Sequence, residues 1–175
     1  MASFGTGYRF HVTGLTHDPS GFPTERPDEI QALLEKLKNK VIHNPKDLTM
    51  VDEFMMEDAD ICIFAVGSVG RSARQAVKML RRHNIRAGLM RPQIVWPFPK
   101  LAVEEMLERI QYVLVPEMNV GQVRKEVERL SKDRRHSIKG LNVMNSCMIT
   151  AEQIVERVVS LEFRPRARKG GRVHA

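Results

Sequence analysis

Cysteine is scarce in this chain: Cys62 and Cys147 are the only two in 175 residues. Two thiols allow at most one disulfide and imply none. They also cannot hold an iron–sulfur cluster that takes four thiolates. Cys62 sits inside the run ICIFAV (61–66), the setting of a small buried hydrophobe. Long apolar runs are missing too. None approaches the roughly 18 residues of a bilayer-spanning segment. The start, MASFGTGYRFHVTG, lacks the basic-then-apolar order of a secretory signal. A soluble cytoplasmic protein with reduced thiols is the expectation. The six histidines (11, 17, 43, 83, 136, 174) show neither HExxH nor a paired metal spacing, which argues against a metal centre. On its sequence the chain carries no complete catalytic site of its own.

Charge is present but uneven. The net charge is +7, yet the last twelve residues, RPRARKGGRVHA, hold five Lys or Arg and no acid. Without them the 28 basic residues fall to 23, against 21 acidic ones. The high pI therefore belongs mainly to residues 164–175, a segment expected to be a disordered basic tail. A helix at 71–83 would carry Arg71, Arg74, Lys78, Arg81 and Arg82 outward. Such a stripe can meet phosphate backbones, but a solvated face is the commoner explanation. The chain also lacks the aromatic-interleaved basic strands of single-strand binders. Nucleic acid and membrane are not the expected partners.

What is present reads as two parts. Residues 1–57 form a connecting arm and a helix. The arm has a strand-like run at YRFHV (8–12) and turn chemistry at DPSG (18–21). Pro27 suits a first helical turn, Ile30, Leu33, Leu34 and Leu37 follow at helical spacing, and Pro45 ends the pattern. Residues 58–163 then alternate strands with helices. Strands are expected at 61–66, 86–90, 112–116 and 137–143. Helices are expected at 71–83, 99–110 and 121–132, with a last one capped by Thr150. This alternation predicts an α/β domain with a mainly parallel, Rossmann-like sheet of four to five strands.

In such a sheet ligands and partners meet the carboxyl ends of the strands, and four unusual loops lie there. GSVGRS (67–72) could turn closely into a helix, with Gly67 and Gly70 giving backbone room and Ser68, Arg71 and Ser72 adding polar groups. It matches neither GxGxxG nor GxxxxGK[ST] nor GxSxG, so the glycines serve either a nucleotide or anion, or only the turn. RPQIVWPFP (91–99) offers Arg91, Pro92, Trp96, Pro97 and Phe98, a stiff aromatic loop suited to protein contact, or a lid folded back as core. EMNVGQ (117–122) places Glu117, Asn119 and Gln122 at a strand end, for a neighbour or for helix capping. NSCMIT (145–150) is the fourth loop.

Three ordered segments carry a resemblance: YRFHVTGLTHDPSGFP (8–23), GSVGRSARQAV (67–77) with RPQIVWPFP (91–99), and VPEMNVGQ (115–122) followed by VRKEVERL (123–130). Together they resemble the C-terminal part of the α subunit of 2-oxoacid:ferredoxin oxidoreductases, with the 2-oxoglutarate enzymes nearest in pattern. The resemblance covers about residues 6–161. It implies a transketolase C-terminal-domain-like fold and a role in oxidative decarboxylation of a 2-oxoacid to an acyl-CoA. It implies that thiamine diphosphate, Mg and iron–sulfur clusters sit on partner chains, and that this chain binds no cofactor alone. The implied partners are a pyrimidine-binding α-subunit domain and a thiamine-binding β subunit, with ferredoxin reached through the complex. That pyrimidine-binding domain has no counterpart here, so a split subunit and a fragment both fit. The expected contact residues are Gly67, Ser68, Gly70, Arg71, Arg91, Pro92, Trp96, Pro97, Phe98, Glu117, Asn119 and Gln122. The competing reading is a stand-alone nucleotide- or anion-binding α/β domain.

Overall fold

The computed structural model describes residues 3–8, 14–131 and 136–161. Most of the strand-like run at 8–12 and the basic tail at 164–175 lie outside the described residues. The chain divides into two compact units, Met1–Leu48 and Thr49–Ala175.

In the first unit, Asp18 builds the turn that DPSG suggests. Its Oδ1 accepts the backbone N–H groups of Ser20 (2.8 Å) and Phe22 (3.0 Å) and the Ser20 hydroxyl (2.6 Å). The Ser20 hydroxyl, helped by those N–H groups, holds the Asp18 carboxyl below its ordinary value. Helix α1, Pro27–Ile42, starts on Pro27 with Asp28 and Glu29 in its first turn and ends with Lys40 in its last, the charge order the helix dipole favours. A short α2, Pro45–Leu48, follows. No residue of α1 is buried; Leu34 and Leu37 are exposed.

The second unit is a five-stranded sheet with helices on both faces. In chain order it contains β1 (Val51–Phe54), β2 (Ile61–Phe64), α3 (Val69–Arg82), β3 (Ala87–Pro92), α4 (Lys100–Arg109), β4 (Tyr112–Glu117), α5 (Gln122–Leu130), β5 (Ser137–Asn142) and α6 (Ala151–Val159). The strand order is β1-β3-β2-β4-β5, parallel except for β1, which runs antiparallel to β3.

The alternation of the strand residues explains the two cores. Ile61 and Ile63 face α3 and α6, packing with Ala73, Val77, Leu80 and Ile154. Cys62 and Phe64 face α4 and α5, packing with Val103, Met106 and Val127. Both faces are covered, so β2 is apolar at every position. Each fully buried Ile, Val or Leu contributes about 1.5–3 kcal/mol.

Three details differ from the sequence reading. β1 is an added strand, unmarked because its burial alternates weakly and its middle residues, Asp52 and Glu53, face solvent at the sheet edge. β3 runs on to Pro92 because β1 pairs with it there, Val51 opposite Pro92 and Asp52 opposite Arg91. α3 begins at Val69, so Gly67 (φ 62) makes the turn alone and Gly70 already belongs to the first helical turn. At the far end Thr150 closes α6 with a capping box: its hydroxyl accepts from the Gln153 N–H, and the Gln153 side chain accepts from the Thr150 N–H.

Candidate functional site at the carboxyl edge

The parallel strands end together, so the loops after β3, β2, β4 and β5 lie side by side along one edge in that order. The connection after β2 leads outward to β3, while the one after β3 returns across β2 to β4. The carboxyl ends of β2 and β4 therefore flank the reversal point where α/β sheets open a crevice. A cleft of about 230 Å³ lies there, lined by Phe64, Gly67, Ser68, Val115, Glu117 and Asn119, among others.

The polar groups of that cleft are turned toward their own chain. Glu117 is buried. Its Oε2 accepts the Val123 N–H at 2.9 Å and its Oε1 the Arg124 N–H at 3.1 Å. Asn119 Oδ1 accepts the N–H groups of Gly121 (2.8 Å) and Gln122 (2.9 Å). Gly121, at φ 92, is the residue before α5. The four N–H groups that a helix start leaves unsatisfied are thus all taken by two side chains from the preceding loop. Asn142 locks that loop by donating from Nδ2 to the Asn119 carbonyl at 2.9 Å. Of the polar trio, Gln122 alone presents an exposed side chain.

The start of α3 is different. It has no side-chain cap and no acid in its first turn. Gly67, Ser68 and Arg71 are exposed, while Gly70 is buried. Arg91, from the end of β3, lies against Gly70: a Cβ built there would stand 2.6 Å from Arg91 Cδ. The Arg91 Nε is buried and has no hydrogen-bond partner. Its Nη1 is 3.9 Å from Asp52 Oδ2, a loose pair. Two other arginines of α3 are committed to structure. Arg74 stacks 4.0 Å above the Phe54 ring. Arg81 donates to both oxygens of Asp58 (2.6 and 3.0 Å) and to the carbonyls of Met55 and Ala87. Arg71, Lys78 and Arg82 are exposed, as Arg74 is beside its ring contact.

The proline-rich loop splits the two readings offered for it. Phe98 turns inward, its ring centroid 6.0 Å from that of Phe64. Pro92 and Pro99 are buried. Trp96, joined to Pro97 by a cis peptide, points outward and is 69% exposed. The twelve residues singled out from the sequence therefore divide. Gly70, Pro92, Phe98, Glu117 and Asn119 are spent on packing or capping, and Pro97 is half-buried. Gly67, Ser68, Arg71, Arg91, Trp96 and Gln122 remain accessible.

The edge also carries accessible groups that the sequence did not single out: Val95, Met118, Val120, Met144 and Met148 are exposed apolar side chains in these same loops. Loop position was the available signal, because an apolar residue outside any helical or strand period has no partner assigned to it. The amino edge is of opposite character, tied by the Arg81–Asp58 pair and by the bidentate Arg86–Asp60 pair at 2.8 Å.

The described residues do not fit a metal or cluster. Among the described residues no three His, Cys, Asp or Glu side chains converge to hold an ion. Burial pushes the Cys62 thiol up to about 12, far from a ligating thiolate. His136 is structural, its Nε2 donating to the Leu107 carbonyl at 2.8 Å while Nδ1 meets the Ser131 hydroxyl at 2.8 Å. No described helix is long and apolar enough to cross a membrane.

The 2-oxoglutarate synthase subunit KorA of Methanothermobacter thermautotrophicus is 40% identical over 132 residues, 75% of this chain and 35% of that protein. A 2-oxoglutarate:ferredoxin oxidoreductase from Magnetococcus marinus superimposes with a TM-score of 0.66 at 25% identity, over 91% of this chain and 28% of the other. A split-gene transketolase shares the fold at 20% identity, with a TM-score of 0.55 over 63% of this chain and 40% of the other. The chain thus spans about a third of the length of such relatives. Residues 59–155, the span from the start of the β2 strand region into α6, match the family model described as pyruvate:ferredoxin oxidoreductase core domain II, and the chain belongs to that family.

Proposed function

We propose that this chain is the transketolase C-terminal-like domain of the α-type subunit of a cytoplasmic 2-oxoacid:ferredoxin oxidoreductase, with 2-oxoglutarate as its substrate. The observation that carries this reading is the 40% identity to a 2-oxoglutarate synthase subunit across three quarters of the chain. In this reading the domain contributes assembly and active-site shape to the oxidative decarboxylation of the 2-oxoacid to an acyl-CoA. Thiamine diphosphate with its Mg ion, and the iron–sulfur clusters, belong to partner chains: this chain has no GDG motif, and its two cysteines cannot supply four thiolates. Its partners are a pyrimidine-binding α-subunit domain and a thiamine-binding β subunit, through which electrons reach ferredoxin. The accessible loop residues Gly67, Ser68, Arg71, Arg91, Trp96 and Gln122 form the contact with those partners. The inward members of the same loops, buried Glu117 and half-buried Phe98 above all, hold the loops in shape.

The test is reconstitution. The chain is combined with the pyrimidine-binding and thiamine-binding chains, and CoA-dependent reduction of ferredoxin is followed with 2-oxoglutarate, pyruvate and 2-oxoisovalerate. Turnover that needs this chain and prefers 2-oxoglutarate is the expected result. Equal turnover without the chain refutes the reading. One observation favours a second reading, a stand-alone anion binder: the α3 start, which has no side-chain cap, beside Arg91. Titration of the isolated chain with CoA, ADP and NAD separates the two, and no binding at millimolar ligand removes the second.

A further inference from the structure

The carboxyl edge is divided into two chemically different halves. One half, at β2 and β3, carries the exposed cations, beside an exposed Val95 and Trp96. Arg71 and Lys100 are exposed there, and Arg91 is held with an unpartnered Nε and only a 3.9 Å approach to Asp52. Helices α3 and α4 both start on this half, both without a side-chain cap and without an acid in the first turn. Each such end adds about half a positive charge. The other half, at β4 and β5, is mainly apolar, its half-buried Arg124 being paired with Glu128 at 3.4 Å. Met118 (37% exposed), Val120 (61%), Met144 (68%) and Met148 (51%) stand there in the open. The helices starting on this half, α5 and α6, are closed by their own caps. With strands about 4.8 Å apart, the edge from β3 to β5 spans about 14 Å, within the footprint of one protein contact.

We propose that this edge is a two-part docking surface for a protein partner that sets carboxylates against Arg71 and Arg91 and an apolar face against the methionines of the β4–β5 half. Charge complementarity selects the first contact. Exposed methionines, soft and adaptable, suit an apolar protein surface in the second. A nucleic acid or a small anion would satisfy the cations and leave the apolar half in water. A second copy of the chain fits no better, because a two-fold contact sets cations either on cations or on methionines. The proposal rests on the reading that the chain works in an assembly with a thiamine-binding chain, and it adds the chemistry of that partner's contact face.

The test measures affinity of the full chain for the cognate thiamine-binding chain at about 50 and about 300 mM salt, on either side of strong screening. Arg71→Glu/Arg91→Glu is expected to weaken binding about 30-fold at the lower salt and to flatten the salt dependence. Met144→Ser/Met148→Ser is expected to weaken it about tenfold at both salts. Lys78→Glu, on the outer face of α3, is expected to stay within about twofold. Circular dichroism melts check each fold, and Arg71→Glu with Arg91→Gln replaces the first pair if that pair unfolds. Wild-type binding that neither pair weakens overturns the docking surface and leaves the functional reading standing. Loss with only one pair overturns the two-part assignment. No wild-type binding at about 100 μM, a concentration well above that of specific complexes, overturns both. Self-association abolished by the methionine pair, or duplex DNA binding abolished by the arginine pair, assigns the surface to those occupants instead and also overturns the proposal.

Discussion

Replacing Glu117 with Gln tests whether this buried carboxylate is a helix cap or a group held for a partner. In the structure its two oxygens each accept one backbone N–H of α5, from Val123 and Arg124, at 2.9 and 3.1 Å. Glutamine keeps the shape but offers one acceptor oxygen and one NH2 donor, so one of those N–H groups meets a donor. An unsatisfied buried donor costs about 1–3 kcal/mol. Losing the negative charge at a helix N-terminus adds about 0.3–1 kcal/mol at an exposed site and up to about 2 kcal/mol at a buried one. A central value of about 2 kcal/mol lowers Tm by about 4–8 °C in a chain of this size. Differential scanning calorimetry of Glu117→Gln against wild type, with exposed Glu105→Gln as control, reads the effect directly. A Tm within about 1 °C of wild type would refute the capping argument. If partner affinity fell at the same time, the carboxylate would be a contact group after all.

Other expectations follow from single features. Thr150→Ala removes the hydroxyl that accepts from the Gln153 N–H in the α6 capping box and leaves the bond from the residue-150 backbone N–H to the Gln153 side chain; it is expected to cost about 1 kcal/mol in urea unfolding, against near zero for Ser146→Ala in the preceding loop. Ellman's reagent is expected to titrate one thiol per folded chain, exposed Cys147, and two in denaturant, because burial raises the Cys62 thiol to about 12; two fast thiols in the native state would contradict the packing of β2. The hydrogen bond from Arg81 holds the Asp58 carboxyl below its ordinary 3.8. The stability it contributes is complete above that value and disappears as pH falls through the lower folded value. The gap between wild type and Asp58→Asn is therefore expected to be constant from pH 5 to 7 and to narrow as pH falls below 3.8; a gap that widened on acidification would reverse the assignment.

Most of the second unit was legible because its strands are covered on both faces. Runs such as ICIFAV and YVLVP are continuous apolar stretches between helices with one inward stripe, and no other packing buries them. β1 was not legible. Its inward residues, Val51 and Phe54, flank two acids, a pattern that an edge strand shares with a loop. At the edge the composition of the loops marked the right region but not which side chains face out. Glu117 caps N–H groups six and seven residues ahead, a reach with no fixed spacing to read. Phe98 and Trp96 are two residues apart in one stiff loop, and only the Phe64 ring decides which goes in. Nothing in the sequence sets Met118, Met144 and Met148 apart from the core methionines Met90 and Met106, because methionine is usually buried.

β1 has a consequence for the order in which the domain assembles. Its partner is β3, reached only after β2 and the whole of α3 have been passed, and β1 lies on the outer side of β3. Until the β2–α3–β3 crossover has closed, β1 has nothing to pair with. The crossover itself needs no help from β1, because β3 is already bonded to β2 along its other side. The first strand in sequence is thus a late arrival on the folding route. Substitutions in Val51–Phe54 should speed unfolding and leave the folding rate nearly unchanged.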